Sequence, residues 1–578
     1  MEKLCKAICV VLLGISLCLF SSCGDIVSEK EELPAQKYKE SNDGLALTPP
    51  MGWNSWYSFR IDDVNETVIK QMADAMVQSG MKDAGYEYIN IDAGWFFERD
   101  ANGNMKADEK KFPGGMKSLA DYIHSKGLKA GIYTDVGEKG CGQAGSKKEY
   151  YQRDTRRFAE WGYDLLKVDC CGGDWSEGGF RRQYKEFAQA LAKCGRPIVF
   201  SICSQGEDAP WNWAYKIGNY YRVGHDIDFS HWGKNEEDVK KWHSDEWNGV
   251  IYEIDTASPH IEKNRPGHWA DLDMLLIGGA KYEGFRDANN IPKRRLNETE
   301  MKSQLSMWCM FSSPLMAGND LRNMSKETAG IFCNKEAIAI NQDRLGRAAS
   351  MVDEQGEGLQ VWSKVLESEK SGRRAVALFN RTDKEAEISL YVKKTGLQEK
   401  FKVRNLWEHK DMGTYSKSYT ALVPSHGVEL LLVEGKECGP VERKWVKVDD
   451  RDGKLSWRGQ WTKIDNEKEN YQGTATSTVE KGASVECSFE GEAVRLLVKS
   501  TPEYGRADIY IDGKFHKTVD MTGGYGRYST VRQYPIYVNT TLEPGNHTIK
   551  VVNTDGKRIV VDGIEYLVRT TRCKEKES

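Results

Sequence analysis

Leu165-Leu166-Lys167-Val168-Asp169 is a short apolar run closed by a carboxylate, with amphipathic stretches at Tyr150 to Trp161 before it and Phe180 to Lys193 after it. Such a run between helix-period segments reads as a buried strand between helices, the repeating unit of a parallel sheet. The alternation continues in both directions. Upstream lie strand candidates at Met51 to Trp56, Tyr86 to Asp92 and Leu128 to Asp135, with helical patterns over Val64 to Ser79 and Met116 to Ser125. Downstream, Pro197 to Ser204, Tyr220 to Asp226, Trp269 to Leu276 and Pro314 to Gly318 bring the strand count to eight. Eight such units in about 300 residues predict an α/β fold, a (β/α)8 TIM barrel over residues 45–345.

Beyond Gly346 the hydrophobic period changes to two, and Leu359 to Val365, Arg374 to Phe379, Glu387 to Val392 and Val428 to Val433 predict an antiparallel β-sheet domain over 346–437. Glu434 to Pro440 reads as a boundary. Residues 441–570 are again strand-only, with a tight hairpin at Gly513-Lys514, and predict a C-terminal β-sandwich that either binds carbohydrate through Tyr504, Tyr525, Tyr528 and Tyr534 or serves as a spacer.

The first 22 residues read as an export signal, with Lys3 and Lys6 ahead of an apolar run from Ala7 to Phe20 that is too short to cross a bilayer. Leu19-Phe20-Ser21-Ser22-Cys23 resembles a bacterial lipoprotein cleavage box, which would lipidate Cys23 and leave residues 23–44 as a polar tether. An ordinary secretory signal is the alternative, and either one exports the chain. The expected location is the periplasm or the cell surface as an outer-membrane lipoprotein, with membrane contact only through the lipid on Cys23.

The whole chain has 578 residues, 82 basic against 86 acidic side chains, 17 Trp, 26 Tyr and 14 Cys. The near-balance of charge offers no basic field for nucleic acid, and the aromatic content supplies several packed cores. Paired CxxC motifs and HExxH do not occur, so no metal and no cofactor is expected. Oligomeric state is not encoded in these patterns.

Five predicted strands end at or near an Asp: Asp92, Asp135, Asp169, Asp226 and Asp273. One such Asp is ordinarily a turn or cap residue. Five converge, because the C-terminal ends of barrel strands share one mouth, where active sites of this fold sit. Carboxylates without metal-ligand histidines point to glycoside hydrolysis, in which one attacks the anomeric carbon and another protonates the leaving oxygen. Lys167, two residues before Asp169, shares its strand face and would hold it ionised, or else form an internal ion pair without function. Trp56, Trp95, Tyr133 and Trp269 fall near strand ends, where they either stack on a pyranose or pack in the core.

Pro50 to Trp56, Tyr88 to Asp92, Gly131 to Gly137, Leu166 to Cys171, Arg222 to Asp226, Asp271 to Leu275 and Ala339 to Asp343 resemble, in order, the successive motifs of glycoside hydrolase family 27, the melibiase-type α-galactosidases. The resemblance implies a retaining exo-glycosidase acting on oligo- or polysaccharides, with Asp169 as nucleophile and Asp226 as acid/base. It further implies sugar contacts from Arg222 and Lys167 near the 2- and 3-hydroxyls, Asp92 on the 4/6 edge, Trp56 and Tyr133 as an aromatic wall, and Asp273 as the last carboxylate of the pocket. Cys141 and Cys171 occupy the positions of a family disulfide.

Two positions depart from the galactosidase pattern. Ala93 stands where a second Asp grips the 4-hydroxyl, and Cys203-Ser204-Gln205 stands where Cys-Glu-Trp places a Glu on the 2-hydroxyl. Ser204 is similar to the α-N-acetylgalactosaminidase branch, and the 4/6-edge change is similar to β-L-arabinopyranosidases or isomaltodextranases. The expected activity is release of terminal α-linked galactose, with those specificities, or a non-catalytic glycan-binding lipoprotein, as alternatives.

Overall fold

The computed structural model describes residues 44–227, 245–279, 294–439, 443–467, 469–522 and 530–569. The signal, nearly all of the tether, Cys23, Tyr525 and Tyr528 lie outside the described residues. Among the described residues no helix is long and apolar enough to cross a membrane.

Eight parallel strands form one curled sheet: β1 (Met51–Asn54), β2 (Tyr88–Ile91), β3 (Lys129–Asp135), β4 (Leu165–Asp169), β5 (Val199–Cys203), β6 (Tyr220–Arg222), β7 (Trp269–Asp271) and β8 (Leu315–Ala317). Their order is β8-β1-β2-β3-β4-β5-β6-β7, and a parallel bridge from Leu275, just past β7, to Ala317 of β8 joins the two ends. The barrel strands are mostly apolar and almost wholly buried, as a sheet covered on both faces requires. The helices that cover it include α1 (Glu66–Gln78), α2 (Gly115–Ser125), α3 (Tyr151–Trp161), α4 (Gly179–Leu191), α5 (Glu246–Ala257), α6 (Glu298–Phe311) and α7 (Lys335–Asn341). Asn65 caps α1 by accepting from the Val68 amide, and Asn297 with Glu300 forms a reciprocal capping box on α6.

Between β5 and β6 there is no α-helix, only the 3-10 turns Pro210–Asn212 and Ala214–Lys216. The C-terminal sandwich covers that flank. Trp211 stacks on His260 at 3.8 Å and meets Tyr534 of the sandwich at 6.0 Å. Ion pairs join the same surfaces: Arg181 with Glu469 at 2.6 Å, Arg495 with Glu262 at 2.5 Å, and Arg532 with Glu177. Tyr534 is therefore an interface residue, and Tyr504 is also buried, so neither offers the sugar-stacking surface expected of it.

The middle domain holds a six-stranded antiparallel sheet and a two-stranded one, and the sandwich holds a larger and a five-stranded sheet. Lys364 ties the middle domain to the barrel. Its fully buried ammonium bonds Cys309 O at 2.9 Å near the end of α6, Ile340 O at 2.6 Å near the end of α7, and Ser312 Oγ at 2.8 Å. A cation there meets the negative ends of two helices. In the sandwich hairpin the turn residues are Asp512 and Gly513, with φ of +50° and +76°, one position earlier than predicted. Two left-handed residues match the twist of the flanking strands, and Asp-Gly tolerates them.

Candidate active site

The register sets Asp135, Asp169 and Cys203 side by side at the C-terminal ends of β3, β4 and β5. Asp92 follows β2 by one residue, Asp273 follows β7 by two, and Asp226 lies four residues past β6 on a loop rather than at a strand end. All five are at the same mouth of the barrel.

On one side, Asp92 Oδ2 accepts from Lys167 Nζ at 2.9 Å and from Asn54 Nδ2 at 2.8 Å, while its amide donates to Ser55 Oγ. Lys167 thus bonds Asp92 directly and acts on Asp169 only through space. The Tyr133 hydroxyl lies 2.8 Å from Asp135 Oδ1 and 3.0 Å from Asp169 Oδ2. The predicted wall residue is wholly buried, and its hydroxyl bridges two carboxyls because Asp135 and Asp169 are cross-strand neighbours. Burial, aided by the charge of Asp169, holds the Asp135 carboxyl well above the ordinary range, against the Tyr133 hydrogen bond.

On the other side, Arg222 NH1 lies 3.2 Å from Asp226 Oδ1 and 3.1 Å from Asp273 Oδ1, and its NH2 donates to the Gly224 and His225 carbonyls. Asp273 Oδ2 accepts from the Tyr57 hydroxyl and the Ile227 amide, both at 2.9 Å. Asp273 has φ of +67°, a left-handed conformation held by its amide's bond to Asp271 Oδ1 and by Trp308 Nε1 on its carbonyl.

Of the candidate catalytic pair, Asp169 is 6% exposed, while the Asp226 side chain is 33% exposed at the rim. Burial raises the Asp169 pKa; Lys167 opposes that rise and the charge of Asp226 adds to it. Burial acts upward on Asp226 too, but Arg222, with Lys167 and Arg60 behind it, brings the carboxyl below its ordinary value. Without substrate, Asp226 is therefore the readier of the two to ionise. A leaving group that covers Asp226 removes its water and favours its protonated form.

Trp56 is half-buried, with the Arg60 guanidinium 4.8 Å from its ring centre. Ser204 is fully enclosed and its hydroxyl has no hydrogen-bond partner among the described residues, so it reaches the mouth less than its loop position suggested. Ala93 is 1% exposed and brings no polar atom to the 4/6 edge. Trp95 and Trp269 are core residues whose indole N–H groups donate to Tyr133 O and Ala46 O. Cys141 and Cys171 form a disulfide, and one atom each from Asp135, Cys141, Asp169 and Cys171 lie within 4.8 Å of one another. The two sulfurs are spent on each other, so this cluster does not suit a metal. Asn54, Ser55 and Tyr57 were missed as site residues, although Asn54 ends the first barrel strand and the other two lie within three residues of it.

Residues 48–343 match the family described as Alpha galactosidase A, and residues 356–433 match its C-terminal beta sandwich domain. Fold and site define a glycoside hydrolase built on a TIM barrel. The chain belongs to the melibiase family of α-galactosidases. It is 40% identical over 410 residues to Alpha-galactosidase A of Cellvibrio japonicus, covering 69% of this chain and 93% of that one. Among solved structures it is similar to α-galactosidase I of Mortierella vinacea (33% identity, TM-score 0.60, 69% of this chain and 99% of that chain). It is also similar to a Saccharomyces cerevisiae α-galactosidase with raffinose (27% identity, TM-score 0.58, 68% and 98%). All three matches leave about a third of this chain uncovered.

Proposed function

We propose that the protein is an exo-acting, retaining α-galactosidase in which Asp169 attacks the anomeric carbon and Asp226 protonates the leaving oxygen. The observation that carries this reading is the placement of the two carboxyls in one mouth with different surroundings: Asp169 enclosed beside Tyr133, Asp226 at the rim on Arg222. Attack by Asp169 forms a glycosyl-enzyme ester and expels the leaving oxygen, which takes the proton of Asp226. Asp226 then removes a proton from water, whose oxygen attacks the same carbon and frees Asp169. Lys167, Asp92, Arg222 and Asp273 are the proposed grip on the terminal sugar.

A panel of p-nitrophenyl α-galactoside, α-N-acetylgalactosaminide, α-glucoside and β-L-arabinopyranoside, run on wild type and Asp169→Asn, tests this. The wild type is expected to act on the α-galactoside and give the α-anomer first by NMR; equal turnover by the variant would remove Asp169 as nucleophile. Ser204 supports a second reading in which the α-N-acetylgalactosaminide is preferred, and the buried Ala93 side chain one in which the arabinopyranoside is. Turnover of none would favour a glycan-binding protein. Export as a lipoprotein, supported by Leu19 to Cys23, is tested by labelled-palmitate incorporation in wild type but not Cys23→Ser.

A further inference from the structure

Glu253, on α5, is completely buried, and neither of its carboxyl oxygens has a hydrogen-bond partner among the described residues. An unpaired buried carboxyl costs free energy that an apolar side chain of similar size avoids. The surroundings of Glu253 give the carboxyl a use. It is seated on Gly224: a Cβ added there would lie 2.7 Å from Oε2 and 2.9 Å from Oε1, so any side chain at 224 would displace it. Gly224 falls midway between Arg222 and Asp226, and its carbonyl accepts from Arg222 NH2 at 3.2 Å.

Arg222 is 2% exposed, and its Nε is also without a hydrogen-bond partner among the described residues. The guanidinium holds Asp226 and Asp273 at 3.2 and 3.1 Å, and its charge is felt by Glu253 as well. Burial keeps the Glu253 carboxyl well above the ordinary range; Arg222 opposes the rise, while the charges of Asp273, Asp271 and Asp226 add to it. His225, the other titratable group of the loop, is buried and brought down to about 4, so it is neutral at working pH. An ionised Asp226 therefore favours a protonated Glu253, and by the same coupling a protonated Asp226 favours an ionised Glu253.

We propose that Glu253 is a positioning residue for the acid/base, a second carboxyl that shares one proton with Asp226 around Arg222. The inference rests on the assignment of Asp226 above. In the free protein Asp226 stands at the rim as an anion on Arg222, and Glu253 carries the proton. A leaving group that covers Asp226 shifts the balance: the O–H of Glu253 breaks, that of Asp226 forms, and Arg222 exchanges one countercharge for another. That proton then passes to the leaving oxygen, while Asp169 loses its negative charge in the glycosyl-enzyme ester, so the total charge of the site is unchanged.

The test is the pH profile of kcat/KM on a glycoside that the wild type turns over. Two like charges beside one cation resist joint ionisation, so Glu253 keeps Asp226 protonated to higher pH than Arg222 alone would allow. Glu253→Gln, which keeps the shape and cannot ionise, is expected to move the basic limb to lower pH by about one unit or more. On the acidic side of the optimum its rate should stay within about threefold of wild type. Glu253→Asp, which draws the carboxyl back from Gly224, should move the limb the same way by less, and it decides the matter if Glu253→Gln does not fold. A uniform loss at every pH with an unmoved limb would make Glu253 a structural residue and overturn the proposal, as would a profile identical to wild type. If the wild type turned over no glycoside, the hydrolase reading would fall, and this one with it.

Discussion

Lys167 Nζ lies 2.9 Å from Asp92 Oδ2, so the ammonium of β4 is bonded to a carboxylate two strands away and not to Asp169 on its own strand. Asp92 is 2% exposed and, among the described residues, has the Asn54 amide as its one further side-chain donor. Removing one partner of such a pair leaves a buried charge unmatched. Lys167→Met is expected to lower kcat/KM by about 100-fold or more. Because Lys167 also lowers the Asp169 pKa, the acidic limb of the kcat/KM profile should move to higher pH in the variant. An unmoved limb would show that Asp169 does not feel Lys167.

Asp226 sits on a loop and its proton is needed only by leaving groups that cannot depart as anions. Asp226→Asn should lose about 10²- to 10⁴-fold on a methyl glycoside. On a 2,4-dinitrophenyl glycoside, the first step should be nearly unaffected and glycosyl-enzyme should accumulate, seen as a burst. Similar losses in the first step for both leaving groups would assign the acid elsewhere.

The Cys141–Cys171 bridge closes a loop of 30 residues around the strand end that carries Asp169. Such a cross-link typically contributes about 2–4 kcal/mol. Cys141→Ser/Cys171→Ser should lower Tm in calorimetry.

Lys364 satisfies three acceptors that no water reaches. Lys364→Met leaves two helix-terminal carbonyls and Ser312 Oγ without it and should cost about 3 kcal/mol or more. Limited proteolysis of the variant should cut first between the barrel and the middle domain, near Gly346.

In the sandwich, Asp562 is fully buried, and burial raises its pKa from 3.8 to about 7, against the Tyr471 amide bond and Lys447. A raised carboxyl binds its proton more tightly when folded, so its contribution is complete below the unfolded value and lost as pH rises through the folded one. Asp562→Asn should stabilise the protein at pH 8, with the gain shrinking toward pH 4 in thermal melts. A gain independent of pH would contradict this.

The eight barrel strands were legible because each is a run of apolar residues bounded by turn or helix signals, and their order follows from the chirality of βα units. The mouth carboxylates were legible for the same reason: strand ends converge whatever the loops do. What the sequence concealed was cross-strand pairing. Lys167 is two residues from Asp169 along the chain, yet its bond goes to Asp92, and Tyr133 turns its hydroxyl toward two carboxyls where an aromatic wall was expected. Neither follows from spacing, because side-chain reach across a barrel depends on which neighbour is unpaired. The burial of Tyr534 was hidden too, since the surface covering it belongs to Trp211 and His260, more than 270 residues upstream.

The flank between β5 and β6, roofed by the sandwich instead of a helix, means that the third domain cannot be treated as an interchangeable cassette. Cutting the chain near residue 440 would leave a wound in the catalytic barrel, with Trp211 and His260 bared beside β5 and the Arg222 strand β6. Transplanting the sandwich to another enzyme would meet the converse problem, a face shaped to one host.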